Sequence, residues 1–311
     1  MMTIPPYPGD PILMTSPTAS PSLTLTGLGR RFGTFRAVHD VNWTLGPGIH
    51  GLLGPNGAGK STLLAMLAGT LPPSEGRVEN GGQDVTQSMR AHYARLGYAP
   101  QSVDLPPHAT PRQLLAYMAA LKGLPAREAA QQAAGLADAL HIAAKLDTPV
   151  GDLSGGMRRR LVVAQSLLGQ PEILLLDEPT AELDGFEKLA LQSILTEMAP
   201  RCVIVFSSHI VSDLEAIAED LLILSKGQAI SIGQPETLAA ALEGRVVSLT
   251  VPATAIDHAL QFGTVTGRKR MADGIRLRLV LNAGKAAPPG AIPEAPSLED
   301  AYLAAVAEHR A

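Results

Sequence analysis

The chain has 311 residues, of which 46 % are apolar and 17 % are charged, and its formal net charge is −4. This composition predicts one large domain with an appendage, and the charge excludes a general electrostatic attraction to nucleic acid. The single cysteine, Cys202, excludes an internal disulfide, which suits a cytosolic protein.

Residues 1–22 contain six prolines together with several Ser and Thr residues. Such a segment buries too little surface to offset its ordering entropy, so we predict a disordered arm. Alternating apolar and polar residues predict strands over 23–28 and 37–45, with a turn over 30–35 between them. The apolar residues over 49–53 then predict a third strand.

The stretch that follows this strand fits the phosphate-loop pattern, in which two glycines bracket four residues and Lys and Ser follow. The glycines let the backbone curl with its N–H groups pointing inward. Lys60 would reach the outer phosphates of a nucleotide, and the Ser61 hydroxyl would ligate Mg²⁺. A helix predicted over 61–67 would present its N-terminal N–H groups to the phosphates. The predicted nucleotide-binding residues here are Gly54, Pro55, Asn56, Gly57, Ala58, Gly59, Lys60, Ser61 and Thr62.

An all-helical insertion is predicted from about residue 104 to residue 154, inside an otherwise alternating pattern of strands and helices. Thr110 as N-cap and Pro111 at the first position predict the start of its first helix. Apolar residues at near-helical spacing predict a second helix. A short strand that ends near Gln101 precedes the insertion, and a helix over about 157–168 follows it.

Two apolar runs, 173–177 and 203–208, show no polar alternation, which predicts strands buried on both faces of a parallel sheet beneath helices. Residues 221–232 predict an antiparallel hairpin at the edge of that sheet. Beyond residue 236 we predict a small separate domain. Its predicted elements are strands over 246–251 and 275–280, a Pro-rich linker over 286–296 and a helix over 298–306.

Reactive side chains follow the ends of the predicted parallel strands, where ligands meet α/β sheets. Asp177 would hold Mg²⁺ opposite Ser61, and Glu178 would polarise an attacking water. His209 would contact the outermost phosphate and orient that water, and Gln101 would sense Mg²⁺ or the water. Alone, an Asp–Glu pair at a strand end is more often a cap or an ion pair, and a His there is usually structural. Their combination with the phosphate loop favours the catalytic interpretation.

Three consecutive arginines, Arg158, Arg159 and Arg160, leave two interpretations open. They would fit a nucleic-acid contact or a solvated and packed helix face. The second is favoured because the net charge of the chain is negative.

Together these motifs resemble those of the ATP-binding cassette (ABC) ATPases over about residues 23–235. Residues 54–61 are similar to the Walker A loop of that family, and residues 173–178 are similar to its Walker B strand. Gln101 matches its Q-loop, residues 153–157 match its signature, and residues 182–184 match its D-loop. His209 matches its switch histidine, and Phe32 matches the aromatic residue that stacks on adenine. The resemblance implies an α/β fold. It would have a P-loop NTPase (RecA-like) core, an antiparallel β edge and a helical subdomain over about 104–154. The small separate C-terminal domain predicted from the residues over 236–311 would be α+β.

The resemblance also implies ATP and Mg²⁺ as cofactors and a homodimer of two cassettes packed head to tail. Ser154, Gly155 and Gly156 of one chain would cap the γ-phosphate held by Lys60 of the other, and Asp184 would join the same site. Two residues depart from the family pattern: Met157 replaces the usual Gln of the signature, and Glu182 replaces a small D-loop residue.

Residues 121–125 and 297–302 resemble the ATPase subunits of ABC-2-type exporters. This implies a cytoplasmic subunit held at the membrane face by a separate integral-membrane permease, with no nucleic-acid partner. No apolar run approaches the roughly 18 residues that a membrane span needs, so the permease would be another chain. The alternative is a soluble, non-transport ABC ATPase that acts as a regulator.

Overall fold

The computed structural model describes residues 20–310, so most of the arm predicted over 1–22 lies outside the described residues. In chain order the first elements are β1 (Leu23–Phe32), β2 (Phe35–Leu45), β3 (Gly48–Leu53), α1 (Lys60–Leu67), β4 (Glu75–Asn80), β5 (Gln83–Asp84), α2 (Met89–Arg95) and β6 (Leu96–Ala99). An antiparallel sheet has the strand order β2-β1-β4-β5. The turn predicted over 30–35 is shorter than expected, because Phe32 pairs with Phe35 and Gly33 takes a positive φ of 59°.

The helical insertion contains α3 (Pro111–Leu121) and α4 (Ala126–Ala139), and α5 (Gly155–Leu167) follows it. Thr110 caps α3 as predicted, because its hydroxyl accepts from the Gln113 N–H and the Gln113 side chain accepts from the Thr110 N–H. The Lys122 amine donates to the Leu168 carbonyl at 2.6 Å and so ties the end of α3 to the end of α5. Burial lowers the pKa of Lys122 to about 8.

The next elements are β7 (Ile173–Asp177), α6 (Gly185–Met198), β8 (Val203–Ser208), α7 (Val211–Glu215), β9 (Asp220–Ser225) and β10 (Gln228–Gly233). A six-stranded sheet has the order β10-β9-β3-β8-β7-β6 and is parallel except at its edge strand β10. On β8, Val203 and Val205 join the core formed with α1 and the first sheet, whereas Ile204 and Phe206 join the core beneath the helical insertion. The prediction of parallel strands buried on both faces, with an antiparallel edge hairpin, is therefore confirmed.

The last elements are α8 (Pro235–Ala240), β11 (Val246–Val251), α9 (Ile256–Ala259), β12 (Gly263–Arg270), β13 (Ile275–Leu281), β14 (Ile292–Pro293) and α10 (Leu298–Arg310). A third sheet, antiparallel, has the order β12-β13-β11-β14. The linker predicted over 286–296 is partly wrong, because β14 pairs with β11 inside it. One face of α10, with Leu298, Tyr302 and Val306, joins the core beneath the helical insertion. The domain boundary at residue 236 stays a prediction.

The C-terminal ends of β3, β6, β7 and β8 lie at the same edge of the central sheet, because these strands are parallel neighbours. The predicted reactive residues follow these ends. Among residues 20–310, no helix combines the length and the apolar character that a membrane span requires.

Candidate functional site

The loop between β3 and α1 has room only for glycine at two positions. Gly59 takes a φ of 107° and lies so close to the Ala37 carbonyl that an added Cβ would collide with it. A Cβ at Gly54 would collide with the Leu224 carbonyl. The loop then enters α1 at Lys60, so the first N–H groups of this helix face the loop.

A cavity of about 340 Å³ lies over this loop. Its lining residues are Phe35, Ala37, Asn56, Gly57, Gly59, Lys60, Ser61, Thr62, Gln101 and Glu178. Residues from the phosphate loop, from the segment after β6 and from the end of β7 thus come together around one space. The structure places six of the nine predicted loop residues around a single cavity with Gln101 and Glu178, whereas Gly54, Pro55 and Ala58 lie outside its lining.

The Lys60 amine is buried and bound by three oxygens. It donates to the Gly54 carbonyl at 2.9 Å and to the Pro55 carbonyl at 3.3 Å, and it lies 3.2 Å from Glu178 Oε1. A buried ammonium needs such compensation, because desolvation of an unpaired charge is costly. The ion pair balances the Lys60 charge at the place where the outer phosphates of a nucleotide are expected.

Glu178 connects Lys60 to His209. Its Oε1 also lies 3.2 Å from His209 Nδ1, and the His209 side chain is 43 % exposed. Glu178 takes a positive φ of 49°, an uncommon conformation for a residue other than glycine. The Ser207 hydroxyl accepts from the Glu178 N–H at 3.0 Å and so helps to fix this backbone. A carboxylate between a lysine and a histidine can accept a proton from a water that reaches the cavity.

Ser207 also fixes the neighbouring carboxylate. Its hydroxyl donates to Asp177 Oδ1 at 2.6 Å, and Asp177 is only 1 % exposed. Ser207 was not among the predicted site residues, although its place two residues before His209 on the same predicted strand was a usable signal. Burial and the nearby Asp177 carboxylate raise the pKa of Tyr98 to about 12.

The residues predicted to hold Mg²⁺ offer the ligands that this ion prefers. Ser61, Gln101 and Asp177 supply a hydroxyl, an amide oxygen and a buried carboxylate. The described residues contain no group of three or more His, Cys, Asp or Glu side chains that could hold a metal. Mg²⁺ is usually bound through one or two carboxylates with water and substrate phosphates, so this donor set fits it.

The cavity wall contains a different aromatic from the one predicted. Phe35 is 64 % exposed and lines the cavity, whereas the ring of Phe32 is covered by the Arg30 guanidinium, 4.9 Å from its centroid. The stacking of Phe32 on adenine stays a prediction. Phe35 was missed, although it is the second aromatic of the same turn and so carried the same signal.

The signature and D-loop residues lie outside the lining of this cavity in the described part of the chain. Ser154 caps α5 by accepting from the Met157 N–H at 3.2 Å. The Glu182 carboxylate lies against Gly155, where an added Cβ would collide with it. Asp184 caps α6 through a reciprocal bond with Glu187. Gly156 lies in the first turn of α5 beside Gly155.

The three arginines of α5 bind the chain's own groups. Arg158 donates to the Leu153 carbonyl, and Arg160 lies 2.8 Å from Glu187 Oε1. Arg159 donates to main-chain carbonyls at the ends of β6 and β7. These contacts are those of a packed helix face.

A family model described as ABC transporter matches residues 38–181. The Nod factor export ATP-binding protein I of Ralstonia nicotianae is 34 % identical over 222 residues, which are 71 % of this chain and 69 % of that protein. A probable sulfate/thiosulfate import ATP-binding protein of Chlorella vulgaris is 34 % identical over 220 residues, which are 70 % of this chain and 93 % of that protein. The dimeric structure of a bacterial ABC transporter cassette has a TM-score of 0.64 at 20 % identity, over 68 % of this chain and 98 % of that one.

Proposed function

The chain belongs to the ATP-binding proteins of ABC transporters, and on that premise we propose that it is the ATPase subunit of an exporter. Proteins of this family hydrolyse ATP to power transport. This favours a role in transport over the alternative role of a soluble regulator. The relative from Ralstonia is named for export and the relative from Chlorella for import, at the same identity. We favour export because residues 121–125 and 297–302 resemble the ABC-2-type exporter group.

The observation that carries the proposed chemistry is the chain of contacts from Lys60 through Glu178 to His209, with both steps at 3.2 Å. The phosphates of ATP would compete with Glu178 for the Lys60 amine. Glu178 would then be available to accept a proton from the attacking water, and His209 would orient that water.

Mg²⁺ would be held by Ser61, Asp177 and Gln101. Bound there, it would supply neutralising charge to the phosphate oxygens. Ser207 would keep the Asp177 carboxylate in place through its 2.6 Å hydrogen bond. Phe35, with Phe32 as the predicted alternative, would contact the base of the nucleotide from the open side of the cavity.

A second copy of the chain would complete the site. Ser154, Gly155 and Gly156 lie at the N-terminus of a 13-residue helix and outside the cavity of their own chain. Free N–H groups at such a terminus suit a phosphate anion. A cassette with the same fold has been solved as a dimer, which supports a homodimer. In the head-to-tail packing that we propose, Asp184 would lie near the same site.

A separate permease would receive the work of this switch, and the subunit would lie at the cytoplasmic face of the membrane. The helical insertion is the proposed docking surface. Tyr117 and Leu121 of α3 are exposed, whereas Leu105 and Met118 pack partly against the core. Exposed apolar side chains of this kind favour contact with another protein.

The test of this function is Glu178→Gln. The amide cannot accept a proton, so we expect ATP binding to persist while phosphate release stops. Glu172→Gln is the matched control, because Glu172 precedes the opposite end of β7 and pairs with exposed Arg95. We expect the control to keep normal turnover. Turnover of Glu178→Gln within a few-fold of the wild type would remove Glu178 from the mechanism.

A further inference from the structure

Arg159 lies in the second turn of α5, four residues after Gly155, and is only 8 % exposed. Its guanidinium donates to the carbonyls of Pro100 and Gln101, the latter at 3.2 Å, and to the carbonyl of Asp177. These three acceptors belong to two separate chain segments, one after β6 and one at the end of β7. A single side chain therefore holds both segments.

The two segments carry the side chains proposed to hold Mg²⁺. β6 and β7 are parallel neighbours, so Gln101 and Asp177 leave the sheet at the same edge. The hydrogen bonds of Arg159 fix the backbone of both residues, and a buried carbonyl left without its donor would be costly. The planar guanidinium has donors in a fixed fork, which suits it to two acceptors at once, whereas the lysine ammonium is a single point charge.

We propose that Arg159 is a positioning residue for the magnesium site, which ties Gln101 and Asp177 to the helix that begins at the signature. This inference rests on the proposed function. Because Ser154 is the N-cap of α5, a phosphate that is held by a second copy and bound there would act on the same helix that holds Gln101 and Asp177. A shift of the signature in one chain would thereby also shift the magnesium ligands of that same chain.

Arg160 provides the matched comparison. It follows Arg159 in α5 and is also 8 % exposed, but its guanidinium points to the Leu140 and His141 carbonyls and to Glu187. Its Nε also donates to the Gly156 carbonyl at 3.4 Å. None of these groups belongs to the segment after β6 or to the end of β7. Its replacement removes a buried guanidinium from the same helix without touching Gln101 or Asp177.

The experiment compares Arg159→Gln, Arg159→Lys and Arg160→Lys with the full-length wild type. ATP binding is measured in EDTA and then as a function of Mg²⁺ concentration. We expect both Arg159 variants to bind ATP in EDTA as the wild type does, since Lys60 and the loop are intact. We expect the Mg²⁺ concentration that gives half of the Mg²⁺-dependent change in ATP binding to rise roughly tenfold or more. Losses of this size follow when other groups that orient metal ligands are removed.

Hydrogen–deuterium exchange of the nucleotide-free protein gives a second readout. Exchange in residues 99–103 and 175–179 should be faster in both Arg159 variants and unchanged in Arg160→Lys. The proposal would be overturned if both Arg159 variants kept the Mg²⁺ requirement of the wild type and its exchange rates in both segments. It would also be overturned if Arg160→Lys changed the Mg²⁺ requirement and the exchange as much as the Arg159 variants do. If Arg159→Gln does not fold, Arg159→Lys decides by the same criteria. A wild type that binds no ATP would refute the proposed function, and the exchange data would still decide the role of Arg159.

Discussion

His50 and Asp220 form a partly buried pair that links the stability of the fold to pH. His50 Nδ1 contacts the Asp220 carboxylate, and Nε2 lies 2.8 Å from the Gly46 carbonyl. Both ring nitrogens face acceptors, so the ring satisfies both only when it is doubly protonated. Although burial lowers the pKa of His50, the hydrogen bond and the charge of Asp220, with a smaller contribution from Glu219, raise it above its usual value.

We predict opposite pH dependence for His50→Gln and His92→Gln. The stability that His50 contributes is fully present below its unfolded pKa of about 6.5 and is lost as the pH rises through the higher folded pKa. Burial lowers the pKa of His92, which lies near the Leu67 carbonyl, so its contribution is lost as the pH falls. Urea unfolding of the wild type and both variants from pH 5.5 to 8.5 measures this. A difference between wild type and His50→Gln that is the same at every pH would contradict the account.

Single residues at the site could be predicted only where they belong to a recognised sequence motif. Lys60, Ser61 and Glu178 follow patterns that are continuous in sequence, and the structure brings them into one cavity. Ser207 and Arg159 act on Asp177, which is distant in sequence, through contacts that only the folded sheet creates. The local pattern placed Ser207 near the end of its strand but did not identify its contact with Asp177.

Among the elements, the start of α3 and the apolar strands were predicted well because their signals are local, whereas α6 was missed despite the capping box at Asp184. Thr110 and Pro111 determine the start of α3, and the apolar runs of β7 and β8 are buried on both faces. β12 was missed, because its sequence from Gly263 to Arg270 lacks apolar alternation and its pairing with β13 decides its conformation. Tertiary pairing overrode the local pattern there.

The attachment of α10 depends on Asp300, and we predict that Asp300→Ala destabilises the fold. Asp300 is 1 % exposed and accepts from Thr266, Arg278 and Ser297. Loss of one partner of such a buried pair should cost roughly 3 kcal/mol. Burial raises the pKa of Asp300, but these donors lower it to about 2, so the effect of the substitution should shrink as the pH falls from about 4 towards 2.

Urea unfolding at pH 7 measures the effect, with Asp147→Ala as the control. Asp147 pairs with Arg112 at 2.8 Å in a similar bond, but both side chains are largely exposed. Exposed pairs contribute little, so the control should unfold like the wild type. Equal midpoints for Asp300→Ala and the wild type would show that α10 is held by its apolar face alone.

At the scale of the whole molecule, the parallel sheet explains why one catalytic site could be predicted. Strands that run in the same direction bring their C-terminal ends to one edge, so the residues after β3, β6, β7 and β8 meet there. The signature residues do not meet them within one chain. We propose that a complete site requires a second copy of the chain.

Mixing two inactive variants tests that claim most directly. Lys60→Ala removes the phosphate-binding amine, and Ser154→Arg blocks the signature, so each homodimer should hydrolyse no ATP. A mixed dimer has both lesions in one site and leaves the other site intact, so we expect phosphate release to reappear on mixing. Near-normal hydrolysis by Ser154→Arg alone would contradict the account, because each chain would then contain a complete site.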